Sequence, residues 1–322
     1  MVVNLPPQYH EKEKELKEVK TPEEKIAVLE EMLSIMPKHK SSEKLQALIK
    51  SKISKYKKMM EKSPSTAKKS IVPQIPKEGD AQVVICGPTN SGKSTLLTTL
   101  TKAKPEIADY PFTTTVPIPG MLQYQDIKIQ MIELPSLSLD FTDNWVGDFI
   151  RKSNLILFLF DLSSDDLIEE IEDAIGVLEK FKVKKEGEFQ FFYKILWVGN
   201  KIDVSSHKEI KDVFVELYKD KIPYFFEISA KEKINIEKLP EIMFNHLEII
   251  RVYTKIPGKS PDIENPYTIK KGSQLIHLAE IIHKDMVKSF KYARLWRGKT
   301  ETPIVIGRDY ILEDKDIVEI HF

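Results

Sequence analysis

Between residues 87 and 94 the chain reads Gly87-Pro88-Thr89-Asn90-Ser91-Gly92-Lys93-Ser94. An apolar run, Gln82-Val83-Val84-Ile85-Cys86, precedes it, and a helix-forming run beginning at Thr95-Leu96-Leu97 follows. The spacing GxxxxGK[ST] between a strand and a helix commits this region to a sheet whose strand ends carry working loops. The glycines let backbone N–H groups converge on a phosphate chain, and the helix N-terminus adds the positive end of its dipole. Lys93 has the reach for β- and γ-phosphates, and the Ser94 hydroxyl suits a Mg²⁺ shell. Residues Gly87 to Thr95 are therefore expected to bind a nucleoside triphosphate.

The base preference is written further on. Ile195-Leu196-Trp197-Val198-Gly199 has a buried-strand pattern and runs into Asn200-Lys201-Ile202-Asp203. A carboxylate at Asp203 can accept hydrogen bonds from the N1–H and 2-amino group of guanine. Adenine lacks that pair of donors, so ATP would leave the carboxylate unsatisfied. A second apolar run, Tyr224 to Ile228, leads to Ser229-Ala230-Lys231, where a backbone amide can meet the guanine carbonyl. The plainer reading of Asn-Lys-x-Asp is a capped strand-to-helix turn. Its place after a phosphate loop, with Ser-Ala-Lys following, favours GTP and GDP as ligands.

The 322 residues are enough for two or three domains, and 41% apolar content supports packed cores. The longest apolar run, Leu155 to Phe160, falls far short of the ~20 residues of a membrane span and ends in Asp161. It reads as a buried parallel strand, and no membrane association is expected. The single cysteine, Cys86, excludes an internal disulfide and fits a reducing cytoplasm; it reads as a small buried strand residue. The formal net charge is zero, yet residues 37–70 hold eleven lysines against two glutamates, leaving residues 71–248 acidic. Such a basic arm suits a polyanionic partner; the competing reading is a solvated helical face.

Three regions are expected. Residues 1–70 form a lysine-rich helical region. Within it residues 1–20 are frayed, a helix starts at Thr21-Pro22-Glu23-Glu24, and a second runs from about Ser42 to Lys62. Residues 71–248 alternate strands and helices, which predicts an α/β domain with a parallel sheet. Its last helix is expected near 235–250. From 249 to 322 the order of short strands, one helix and further strands predicts a small β-grasp module. The acidic run Asp165 to Asp173 reads as a solvated helix start, and the aromatics Phe189 to Tyr193 as strand core.

The chain resembles the developmentally regulated GTP-binding (DRG) branch of the Obg-like GTPases over nearly its whole length. The motifs that carry the resemblance are Gly87 to Thr95, Ala108-Asp109-Tyr110-Pro111-Phe112-Thr113-Thr114 and Asn200-Lys201-Ile202-Asp203. At the C-terminus they are Arg251-Val252-Tyr253-Thr254-Lys255, Ile282-His283-Lys284-Asp285 and Leu312-Glu313-Asp314-Lys315-Asp316, which look like that family's TGS domain. The resemblance implies a Ras-like P-loop GTPase domain, an N-terminal helical hairpin and a C-terminal β-grasp TGS domain. It also implies association with the ribosome or RNA, and a protein cofactor is a further expected partner. Thr114 would be the switch threonine that reaches Mg²⁺ and the γ-phosphate, with Thr115 the adjacent candidate. Asn90 stands where potassium-activated members of the wider class place an asparagine that holds a K⁺ beside the phosphates. As a bare residue it reads equally well as a turn former.

Two departures from that family pattern bear on catalysis. The interval from Glu133 to Asn200 leaves room only for a minimal GTPase domain, without the family's inserted domain. The third motif reads Glu133-Leu134-Pro135-Ser136 in place of Asp-x-Pro-Gly. Glu133 adds a methylene to the carboxylate that serves Mg²⁺, and Ser136 adds a Cβ where a glycine peptide turns toward the γ-phosphate. Leu137 follows where other GTPases carry a water-orienting glutamine, which predicts slow hydrolysis helped by K⁺ or a partner. The leading expectation is a slow GTPase acting as a ribosome- or RNA-associated switch, with Lys93, Thr114 and Asn90 catalytic and Ser94, Thr114 and Glu133 at the metal. A GTP- or GDP-binding scaffold that no longer cycles is the alternative. An aromatic–basic patch of Tyr292 and Trp296 with Lys291, Arg294 and Arg297 is a further candidate RNA contact.

Overall fold

A computed structural model describes residues 6–19, 22–36, six positions between 46 and 57, 75–101, 116–139, 142–181, 195–205, 207–222, 224–298 and 302–322. The chain divides into two compact units, Met1–Ile71 and Val72–Phe322.

In the first unit, α1 (Pro7–Glu18) and α2 (Pro22–Ile35) both begin with proline in the first turn, where the missing N–H costs nothing. Residues 7–18 are thus helical where fraying was expected. Tyr9 is the reason: it is buried with Ile26, Leu29, Met32 and Met36, and Lys12 pairs with Glu31. Most of the second expected helix lies outside the described residues. Its described positions are helical, and Ile49 and Ile53 join the same core.

Among its described residues the second unit carries two sheets. The first, in the order β2-β3-β1-β4-β5-β6, comprises β1 (Ala81–Cys86), β2 (Ile118–Tyr124), β3 (Ile127–Glu133), β4 (Leu155–Asp161), β5 (Ile195–Asn200) and β6 (Phe226–Glu227). All neighbours run parallel except the β2–β3 pair. Helices α3 (Lys93–Thr101), α4 (Asn144–Lys152), α5 (Leu167–Lys180), α6 (His207–Tyr218) and α7 (Leu239–Leu247) accompany it. The near-continuous apolar strands reflect burial on both faces. Along β4, Ile156, Phe158 and Phe160 enter one core with α4 and α5, whereas Leu155, Leu157 and Leu159 enter the other with α3 and α7. The last helix stops at Leu247 rather than near 250, because Glu248 takes a left-handed conformation and the chain turns into the next sheet.

That sheet has the order β10-β9-β11-β7-β8, built from β7 (Ile249–Thr254), β8 (Asp262–Lys270), β9 (Tyr292–Trp296), β10 (Ile304–Ile306) and β11 (Asp316–His321). The central β11 runs parallel to β7 and antiparallel to β9, with α8 (Leu275–Ile282) and the short α9 (Met286–Ser289) between β8 and β9. This is the expected β-grasp, with one helix more than the sequence suggested. Its core gathers Val252, Ile269, Leu275, Leu278, Leu295 and Val318.

The two sheets meet at Arg251. Its guanidinium is buried between Asp314 of the β-grasp module, at 2.6 Å, and Asp126 of the β2–β3 turn, at 2.8 Å. It also lies 4.8 Å from the Phe244 ring centroid. Tyr253 donates its hydroxyl to the other Asp126 oxygen.

Candidate nucleotide site

The phosphate loop starts where β1 ends. Gly87 has φ +146°, and a Cβ there would stand 1.9 Å from the Leu159 carbonyl oxygen. Only glycine lets the loop pass that close to β4. Asn90 has φ +62° and is exposed, so the turn-forming role is realised. Thr89 is exposed, Ser91 is fully buried, and the loop feeds into the N-terminus of α3.

Lys93 is buried, and its ammonium donates to the carbonyls of Gly87 at 3.2 Å and Pro88 at 2.6 Å and to the Ser136 hydroxyl at 3.2 Å. Burial pushes its pKa down, partly countered by Glu133. The Ser94 hydroxyl donates to Glu133 Oε1 at 2.6 Å. Among the described residues Glu133 Oε2 is buried with no hydrogen-bond partner, and burial raises the carboxyl pKa against the opposing pull of Ser94 and Lys93. A hydroxyl oxygen beside an orphaned carboxylate oxygen is the donor chemistry of a hard divalent cation. The residues fit Mg²⁺. Thr114 lies outside the described residues. Thr89, Asn90, Lys93, Ser94, Glu133 and Ser136 all line one cavity of about 490 Å³.

The base-side motifs are tied to the same loop. Asn200 donates to the Ser91 carbonyl at 2.8 Å and accepts from the Ala230 N–H at 2.9 Å. One buried side chain therefore joins the phosphate loop, Asn200-Lys201-Ile202-Asp203 and Ser229-Ala230-Lys231. Lys201 takes φ +68° and also lines the cavity. Asp203 and Lys231 are exposed, while the Ser229 hydroxyl accepts from the Glu232 N–H at 2.9 Å.

Sequence reasoning passed over Asp161. It pairs with Asn200 across β4 and β5, and its carboxylate holds Lys201 Nζ at 2.6 Å. The available signal was a lone acid ending an otherwise apolar strand. The basic residues of the candidate RNA patch also serve the module itself. Tyr292, Arg294 and Trp296 share one face of β9, with Lys255 4.3 Å from the Trp296 ring centroid. Arg294 reaches the buried Glu319 at 3.3 Å, and Arg297 clamps the fully buried Asp316 with two hydrogen bonds of 2.8 Å.

This fold and loop set define a Ras-like P-loop GTPase domain joined to a TGS domain. A family model described as 50S ribosome-binding GTPase matches residues 82–193, a Ras family model matches 140–248, and a TGS domain model matches 250–322. The developmentally-regulated GTP-binding protein 1 homolog of Dictyostelium discoideum is 30% identical over 92% of this chain and 98% of its own length. Developmentally-regulated GTP-binding protein 2 of Homo sapiens is 27% identical over 92% and 98%, and a GTP-binding protein of Methanocaldococcus jannaschii is 28% identical over 92% of each chain. The chain belongs to the developmentally regulated GTP-binding protein family, and it is a GTP-binding protein. The Dictyostelium match runs over 369 positions although it covers 92% of only 322 residues, so about seventy positions of that relative face no residue here. Among the described residues, no helix is long and apolar enough to cross a membrane.

Proposed function

We propose that the protein is a slow GTPase that works as a molecular switch on the ribosome or another RNA. The observation that carries the slow rate is Leu137. Its side chain is buried in the core and its N–H donates to the Gly87 carbonyl at 3.1 Å, so the position after the third motif cannot orient an attacking water. Gly87 to Thr95 would cradle the phosphates, with Asn200, Lys201, Asp203, Ser229, Ala230 and Lys231 forming the guanine side. Ser94, Glu133 and Thr114 would hold Mg²⁺, which neutralises charge on the β- and γ-phosphates when bound. Lys93 and Thr114 would steady the terminal phosphate, and Asn90 would hold K⁺.

The organisation proposed is residues 1–70 as a lysine-rich helical arm, 71–248 as the GTPase domain without the family's inserted domain, and 249–322 as the TGS domain. The RNA reading rests on the lysine density of residues 37–70 and on the Tyr292, Arg294 and Trp296 face. A protein cofactor and a cytoplasmic setting belong to the same reading.

One observation favours a second reading, a scaffold that binds GTP or GDP without cycling. Ser136 replaces the flexible glycine of the third motif, and the loop is pinned on both sides by backbone hydrogen bonds, from Leu134 N–H to Ile85 and from Leu137 N–H to Gly87. Phosphate release by the purified chain in potassium and then sodium buffer, with Lys93→Ala as the blank, separates the two. Turnover above the blank that potassium raises supports the switch and the Asn90 role. GTP bound without turnover in either salt supports the scaffold.

A further inference from the structure

Ser136 stands at the phosphate end of the cavity. Its hydroxyl is 3.2 Å from Lys93 Nζ, the cation of the phosphate loop, and it shares the cavity wall with Ser94 and Glu133, the pair that fits the metal. The residues around it hold it there. Leu134 N–H donates to the Ile85 carbonyl at 2.9 Å, Leu137 N–H donates to the Gly87 carbonyl at 3.1 Å, and the side chains of Leu134 and Leu137 are both buried. A segment fixed at both ends cannot readily swing its peptide toward an incoming phosphate. The hydroxyl needs no such swing, because it rotates about one bond and can donate as well as accept. Toward Lys93 it accepts. Toward a phosphate oxygen drawn in by Lys93 it can donate, and a hydrogen bond to a charged group is among the stronger ones.

We propose that the Ser136 hydroxyl is a ligand of the terminal phosphate, and that it sets the preference of this protein for the nucleoside triphosphate over the diphosphate. The proposal rests on the guanine-nucleotide reading of the site. It gives a purpose to the substitution in the third motif: a side-chain donor on a fixed loop takes over from a mobile peptide.

The test is equilibrium binding of a non-hydrolysable GTP analogue and of GDP to the full chain with Mg²⁺, comparing wild type, Ser136→Ala and Ser136→Gly. Ser136→Ala keeps the Cβ and the backbone restriction, so it isolates the hydroxyl. The expected result is a loss of about tenfold or more in affinity for the triphosphate analogue, with GDP affinity unchanged. Ser136→Gly, which frees the peptide, should lose less. A thermal melt of each variant shows that the loop is intact. An unchanged analogue-to-GDP ratio in Ser136→Ala overturns the proposal, as does an equal loss for both nucleotides. If Ser136→Ala melts abnormally, Ser136→Cys, which keeps the Cβ but offers only a weak S–H donor, decides on the same terms, with an unchanged ratio counting against the hydroxyl. Wild-type protein that binds neither nucleotide overturns the guanine-nucleotide reading itself, an outcome distinct from binding with an unaltered ratio.

Discussion

Asn200 donates its side-chain N–H to the carbonyl of Ser91 at 2.8 Å, across 109 residues of sequence. Its Oδ1 accepts from Ala230 N–H, so the amide is satisfied on both sides in a buried setting. Asn200→Ala would strand a buried carbonyl and a buried N–H together. The expected cost is about 2–4 kcal/mol of stability, readable by urea unfolding, together with weaker guanine-nucleotide binding. Asn200→Asp should be no better, since a carboxylate faces the Ser91 carbonyl as acceptor against acceptor. A variant with wild-type unfolding and binding would show that the bridge does not hold the site together.

Much of this was legible in the chain. The Gly87–Ser94 octet and its flanks gave the first strand, the loop and α3, because period and composition there leave one solution. The apolar runs at Leu155 and Ile195 gave the central parallel strands for the same reason. What stayed hidden depends on contacts distant in sequence. Asp161 acts on Lys201 only once β4 and β5 are in register, and the clamp of Arg297 on Asp316 forms only once β9 and β11 pair. The structured start at Pro7 was missed because one buried tyrosine, Tyr9, outweighs a charged local composition. Thr114 falls outside the described residues, so its role stays a proposal.

Glu133 presents one oxygen to Ser94 and leaves the other buried, with no partner among the described residues. Glu133→Gln keeps the shape and removes the charge. Without metal it should melt at the same temperature or higher, since a buried amide costs less than a buried carboxylate. The Mg²⁺ concentration needed for half-maximal nucleotide binding should rise by about 10–100-fold, the range typical when a residue supporting a metal is changed. A Mg²⁺ titration of nucleotide binding checks this, and an unchanged midpoint would remove Glu133 from the metal.

Gly87→Ala tests the close passage of the loop over β4. The added Cβ would meet the Leu159 carbonyl at 1.9 Å, and backbone cannot yield as a flexible side-chain tip can. Destabilisation above about 3 kcal/mol is expected, with β1 and β4 forced apart. Circular dichroism melting gives the answer, and a near-native melt would mean that the loop has another path.

The joint between the two sheets should respond to acid. Burial pushes Asp126 up, but hydrogen bonds from Tyr253 and Arg251 outweigh it and hold its carboxyl below the ordinary 3.8. Asp314 is lowered likewise, with Arg251 outweighing burial. Groups whose pKa is depressed on folding contribute stability above their unfolded value and lose it as pH falls through the folded one. The contribution is therefore whole at pH 7, begins to fall below about pH 4, and is gone once both carboxyls are protonated. Arg251→Ala removes the shared cation and leaves two carboxylates facing its vacated place. It should cost about 3 kcal/mol or more at pH 7, because breaking a buried ion pair strands the remaining charges. The penalty should shrink in acid, where the stranded carboxylates take up protons. Urea unfolding of wild type and Arg251→Ala at pH 7 and below pH 4 measures both terms. A penalty independent of pH would mean that Arg251 serves this joint by packing on Phe244, 4.8 Å away, rather than by charge.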